Sequence, residues 1–241
     1  MDLNGVYYNK KGCQFKVLEL LPDRKYLIQW LDNHAHKMIV SKDNAVRGAV
    51  RNPYHPSVFG QGFVGIGRHV TSANGEDNPI SMIWRSIIQR CYDEKLHKRH
   101  PTYTNCTMDE SWKNFQVFGD WYETNSSPGF DLDKDLLIKN NKHYSPDTCT
   151  FLPQAVNIAL VRGATRRGEY PIGVTKSKVS GKYIAQAAKV HIGTFSSAED
   201  AFLAYKDFKE QSLRILAKEY KEVISEKAYN ALLNYRVEIT D

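Results

Sequence analysis

This sequence has little that would hold it in a membrane or staple it together outside a cell. No apolar run approaches the roughly 20 residues that a spanning helix needs. The opening MDLNGVYYNKKG does not read as a signal peptide, which needs a longer apolar stretch. Cysteine is sparse: Cys13, Cys91, Cys106 and Cys149 stand far apart with no CxxC pair, against a disulfide scaffold or a zinc ribbon. Cys106 follows His97 and His100 at a loosely metal-like distance, but a buried thiol beside solvated loop histidines is the simpler reading. A phosphate-binding loop is also missing. GQGFVGIG at 60–67 lacks the Lys-Ser/Thr that completes a P-loop, and no βαβ unit surrounds it. No RNP-like aromatic motif points to RNA. A soluble, intracellular protein is expected.

Acidic residues are scarce in one stretch in particular. Over the 241 residues, 33 Lys and Arg against 27 Asp and Glu leave a net charge of only +6, which by itself says little about partners. Between 162 and 189, however, stand Arg162, Arg166, Arg167, Lys176, Lys178, Lys182 and Lys189, with Glu169 the sole acid. A local basic concentration of this kind favours contact with phosphate.

Hydrophobic periodicity divides the chain. Four short apolar runs within residues 1–50, separated by polar turns, predict a small β barrel similar to SH3-like modules. Residues 51–78 are rich in Gly, Pro and Ser and read as a linker. Over 79–92, Ile80, Ile83, Trp84, Ile87, Ile88 and Cys91 recur at helical spacing. A second helix is expected from a capping box at 107–110, with Trp112, Phe115, Phe118, Trp121 and Tyr122 along its buried side.

Residues 130–157, FDLDKDLLIKNNKHYSPDTCTFLPQAVN, scan as strand, polar loop, strand and helix, with Phe130, Leu132 and the run Leu136-Leu137-Ile138 supplying the first strand. Farther on, 170–175, 183–190 and 192–195 predict three strands. Ser197 and Asp200 then cap a long helix carrying Phe202, Tyr205, Phe208, Leu213, Leu216 and Tyr220.

Two resemblances follow from these residues. The ββα order of 130–157 resembles the HNH (ββα-metal) nuclease motif. The stretch YPIGVTKSKVSGKYIAQAAKVHIGTFSSAEDAFLAYKDFKE is similar to AP2-type DNA-binding domains, through Gly173-Val174, the run from Gly181 to Ala185 and Ile192-Gly193-Thr194-Phe195. Together they match the layout of phage-associated HNH homing endonucleases. The expected fold is therefore α+β: an SH3-like β barrel at 1–50, a linker at 51–78, an HNH-like ββα domain with two preceding helices at 79–162, and an AP2-like sheet packed on a helix at 163–241.

The resemblance implies a sequence-specific partner, double-stranded DNA, with the sheet laid in the major groove. Lys176, Lys178, Lys182 and Lys189 are the expected contacts, and Arg166 and Arg167 would reach the backbone. It also implies Asp133 and Asn157 as ligands of a Mg²⁺ ion, a hard cation suited to oxygen donors. One position departs from the motif: Lys134 stands where a catalytic His is usual. A protonated lysine can bind phosphate but cannot take a proton from water. His143, in the loop, is the alternative base. The choice between a Mg²⁺-dependent DNA endonuclease and an idle relative acting as a DNA-binding transcriptional repressor turns on these residues.

Overall fold

The structure is a computed structural model that describes residues 1–160, 169–187 and 190–240. It is α+β, as expected: among the described residues, seven α-helices accompany several small antiparallel sheets. No helix of the described residues is long and apolar enough to cross a membrane. The chain separates into two compact units, Met1–Tyr122 and Glu123–Asp241.

The first unit opens with a four-stranded antiparallel meander: β1 (Val6–Tyr8), β2 (Gln14–Leu21), β3 (Lys25–Trp30) and β4 (Lys37–Ser41), in sequence order. Alternation on β2 and β3 drives Phe15, Val17, Tyr26, Ile28 and Trp30 to one side, where Val40 and Val50 complete a core. Ser41 caps the short α1 (Lys42–Val46) by accepting from the Asn44 N–H. The small hairpin of β5 (Ser72–Ala73) and β6 (Glu76–Asp77) leads to α2 (Pro79–Tyr92). Asn78 caps α2, and Pro79 occupies the first turn, where a missing N–H does no harm. After α3 (Glu94–Arg99) come the short β7 (Thr107–Met108) and α4 (Phe115–Asn125).

Two expectations change here. The helix foreseen from the box at 107–110 begins only at Phe115. Asp109 instead caps a 3₁₀ turn, Glu110–Lys113, and Asn114 is extended. The backbone at 113–115 is held by Phe63, whose N–H donates to the Lys113 carbonyl and whose carbonyl accepts from the Phe115 N–H. The aromatic stripe is core as expected, with Trp112, Phe115 and Phe118 fully buried and Trp84 tilted on Phe115 at 5.1 Å. Residues 51–78 are closely packed as well as connecting. Gln116, buried in α4, donates to the carbonyls of Val64 and His69 and accepts from the His69 N–H. Gly62, Gly65 and Gly67 leave no room for a Cβ beside Trp84, Asn114 and Gln116.

The second unit contains β8 (Phe130–Asp133), β9 (His143–Tyr144), β10 (Thr150–Pro153) and α5 (Gln154–Leu160). A three-stranded sheet follows, β11 (Val174–Lys176), β12 (Tyr183–Ala187) and β13 (Val190–Phe195), then α6 (Ala198–Glu219) and α7 (Glu226–Leu233). The spine is α6, about 33 Å long at the usual rise per residue and capped by Ser197 with Asp200. Its first half places Ala201, Phe202 and Tyr205 under the sheet, against Val174, Ala185 and Ala187. Its second half places Leu213 and Ala217 against Leu136, Leu152 and Val156 of the ββα element, with Ala228 and Leu232 of α7. One helix thus serves two cores that the sequence assigns to separate domains. Glu210, buried between them, accepts the Val237 N–H and pairs with Arg214 and Arg236, fastening the chain's last stretch onto α6.

Candidate functional site

The ββα element forms as the sequence suggests, with different limits. β8 and β10 pair antiparallel, Asp133 opposite Thr150 and Asp131 opposite Leu152, and α5 follows at once. The first strand stops at Asp133 instead of running on through Leu136, Leu137 and Ile138. The reason is the Asp133 side chain. Its Oδ1 accepts from the N–H groups of Asp135 (2.9 Å) and Leu136 (2.7 Å), bending the chain into a turn.

Lys134 takes part in the same turn. Its Nζ donates to Asp135 Oδ1 and to the Asn141 carbonyl, both at 2.7 Å, and only 13 % of its side chain is exposed. Asn141 is buried and closes the loop: its Nδ2 donates to the carbonyls of Lys134 (2.9 Å) and His143 (2.6 Å), while its Oδ1 accepts from the His143 N–H. Thr148 adds a bond from Oγ1 to the His143 carbonyl, 2.6 Å. Lys134, expected from the resemblance to stand at the base position, instead stitches a loop. His143 is half-buried in β9, its backbone held from both sides.

Of the two expected metal ligands, Asp133 sits at the end of β8 and Asn157 on α5. Asn157 meets a different carboxylate, since its Nδ2 donates to Asp131 Oδ2 across 3.4 Å. Burial pushes the Asp133 carboxyl above the ordinary range, and its two N–H bonds offset that only in part. Among the described residues, no group of three or more His, Cys, Asp or Glu is arranged to hold a metal ion. The nearby Cys149 thiol is buried and pushed up to about 12, an inert core group.

The three-stranded sheet presents the other candidate surface. One face packs on α6. On β12, Tyr183, Ala185 and Ala187 point that way, so Ile184 and Gln186 point out. Register carries the outward row across the sheet: Thr175 opposite Ile184, Ile184 opposite Thr194, and Gln186 opposite His191. A bulge at Ala185/Gln186 puts His191 and Thr194 on the same face despite their spacing, and His191 Nε2 lies 3.2 Å from Thr194 Oγ1. Thr175, Gln186, His191 and Thr194 are all exposed.

The basic residues are placed unevenly around this face. Lys176 shares its face of β11 with the buried Val174, lies opposite Tyr183, and has its Nζ 5.4 Å from that ring's centre. It belongs to the rim on the helix side, not to the outward row. Lys178 lies in the turn beyond β11, so strand alternation does not pair it with Lys176; it and Lys182 are exposed around the hairpin end. Arg166, Arg167 and Lys189 lie outside the described residues. The sequence reading missed Thr175, Gln186, His191 and Thr194 because it sought charge. Period two, counted outward from Ala185, would have found Gln186; the bulge hid His191.

Comparison of the chain with protein-family models, with curated proteins and with solved structures returned no match.

Proposed function

We propose that this chain is a sequence-specific double-stranded DNA-binding protein of the HNH homing endonuclease type, with an AP2-like reading sheet, an SH3-like N-terminal module and a ββα unit that serves as scaffold. The observation that carries the reading is the outward face of β11–β13. It joins an amide, an imidazole, two threonine hydroxyls and an isoleucine on a curved three-stranded ribbon. From Tyr170 to Ala198 there is no acidic residue. These are groups that discriminate base edges in the major groove: Gln with adenine, hydroxyls with either partner of a pair, and apolar contact with the thymine methyl. Lys178 and Lys182 flank the row and would contact phosphate. On this reading Lys134 keeps the loop in shape, and the protein acts as a repressor or other DNA-bound factor.

A second reading, a Mg²⁺-dependent endonuclease, has one observation in its favour. Asp131 and Asn157 bring a carboxylate and an amide together on β8 and α5, the two elements that carry ligands in HNH enzymes, with Asp133 two residues along. His143 would then serve as base. One experiment separates the readings. Gel shift on a selected duplex, run beside plasmid cleavage in Mg²⁺ and Mn²⁺, should give binding that weakens steeply with salt and no nicking. Nicking abolished by Asp131→Ala or Asp133→Ala would establish the nuclease. A salt slope near zero would sink both.

A further inference from the structure

The first unit holds a cleft of about 370 Å³ that the DNA-binding reading does not use. Lys11, Cys13, Gln14, Asp32, Asn52 and His55 line it. At its wall Cys13 Sγ lies 3.4 Å from His55 Nδ1. Cys13 differs from the other cysteines: all four are thiols, but Cys91, Cys106 and Cys149 are buried, at 6 %, 3 % and 4 % exposure, while Cys13 is only partly buried, at the edge of the β-sheet core.

Both partners are fixed by their own loops. The buried Asn9 accepts from the N–H groups of Lys11 (2.9 Å) and Cys13 (2.8 Å) and donates to the Val50 carbonyl, which sets the turn entering β2. Gly12 completes that turn at a φ of 78° that disfavours any side chain. On the His55 side, Asn52 accepts from the Tyr54 N–H, donates to Asp32 Oδ2 at 2.6 Å, and accepts the His55 N–H at its carbonyl. Neither side chain needs to move far for the pair to meet. The thiolate, not the thiol, is the nucleophile in sulfur chemistry, and a neighbouring imidazole is the usual group that takes the proton.

We infer that the Cys13–His55 pair is a reactive thiol site that forms a mixed disulfide with small polar disulfides admitted to this cleft. With the ring proton on Nε2, Nδ1 accepts the thiol proton. The Cys13 sulfur attacks one sulfur of the incoming disulfide, its S–S bond breaks, and a new S–S bond forms to Cys13. The leaving thiolate takes up the proton held by the imidazolium, so no further oxidant is needed. The polar lining, with Lys11, Gln14 and Asn52, suits a disulfide bearing charged and amide groups.

Oxidised glutathione is the probe, with the full chain and intact-mass detection. One adduct should appear, mapping to Cys13 by peptide digestion and absent in Cys13→Ser. At pH 7 its rate should fall about tenfold or more in His55→Ala, reflecting loss of the group that takes the proton. His55→Gln retains a carbonyl that can accept the thiol's hydrogen bond but cannot hold its proton. It should react as slowly as His55→Ala, and circular dichroism should show both variants folded. Wild-type rates in folded His55→Gln, or a first adduct on Cys91, Cys106 or Cys149, would overturn the assignment.

Discussion

The loop between β8 and β10 and the outer face of the β11–β13 sheet are comparably polar, yet they use that polarity in opposite ways. In the loop, Asp133, Lys134, Asp135, Asn141 and Thr148 satisfy backbone groups and one another within a few residues. On the sheet, Thr175, Gln186, His191 and Thr194 stand on a rigid surface and face solvent. Buried polar groups must find partners inside the fold, because an unsatisfied one carries a desolvation penalty. Exposed groups on a strand are held in place by their backbone and bond to water or to one another, as His191 and Thr194 do, bonds that a ligand can replace. Residue type alone does not separate the two cases, since a lysine that tethers a loop and a lysine at the rim of a sheet look alike in sequence.

The contrast can be broken most sharply at Asn141. Replacing it with Ala removes three hydrogen bonds and takes the Asn141 amide from the Lys134 carbonyl, while the His143 carbonyl keeps Thr148, so the chain should lose about 3 kcal/mol of stability in urea unfolding. A loss below about 1 kcal/mol would mean that the loop's polar network is ornamental. The sheet should behave in the opposite way. Gln186→Ala with His191→Ala should leave stability within about 0.5 kcal/mol, as expected for exposed sites. The same change should reduce discrimination between the selected duplex and a scrambled one by about 1–3 kcal/mol, read by competition gel shift. Unchanged discrimination would remove the sheet from base reading.

The smallest effect is a pH dependence at Asp133. Burial raises its carboxyl, so the folded chain binds that proton more tightly than the unfolded chain does. Its favourable contribution is therefore full below the unfolded value, near about 4, and is lost as pH rises through the raised folded value. Asp133→Asn keeps an oxygen for the Asp135 and Leu136 N–H groups without the charge. The variant should be somewhat more stable than wild type at neutral pH, and the gap should close on acidification. A gap that does not change with pH would show that Asp133 titrates at its ordinary value.

Much of the local structure was legible in advance. The spacing of Trp84, Ile87, Ile88 and Cys91 gave α2, and Ser197 with Asp200 marked the start of α6. One error came where a distant group decided the outcome. The helix expected at 107 was displaced by Phe63, which bonds the backbone at 113–115 from 50 or so residues away in sequence. Another had a local cause: the strand expected through 138 ended at Asp133, whose carboxylate took the N–H groups of Asp135 and Leu136. Asn157 found Asp131 rather than Asp133 because helix and strand phase, not motif order, set which side chains meet.

By itself, the sequence determined the elements and their class: short alternating strands and capped amphipathic helices, an α+β chain whose acid-poor stretch lies near a small sheet. Periodicity and capping are local properties, and local physics suffices to read them. Tertiary structure alone decided what the polar residues do. It turned Lys134 into a loop tether, set His191 beside Thr194 through a bulge, carried two cores on α6, and brought Cys13 to His55 across 42 positions. The first two rest on how a turn and a bulge close within a few residues, the last two on groups far apart in the chain; packing and the need to satisfy buried hydrogen bonds fix both kinds.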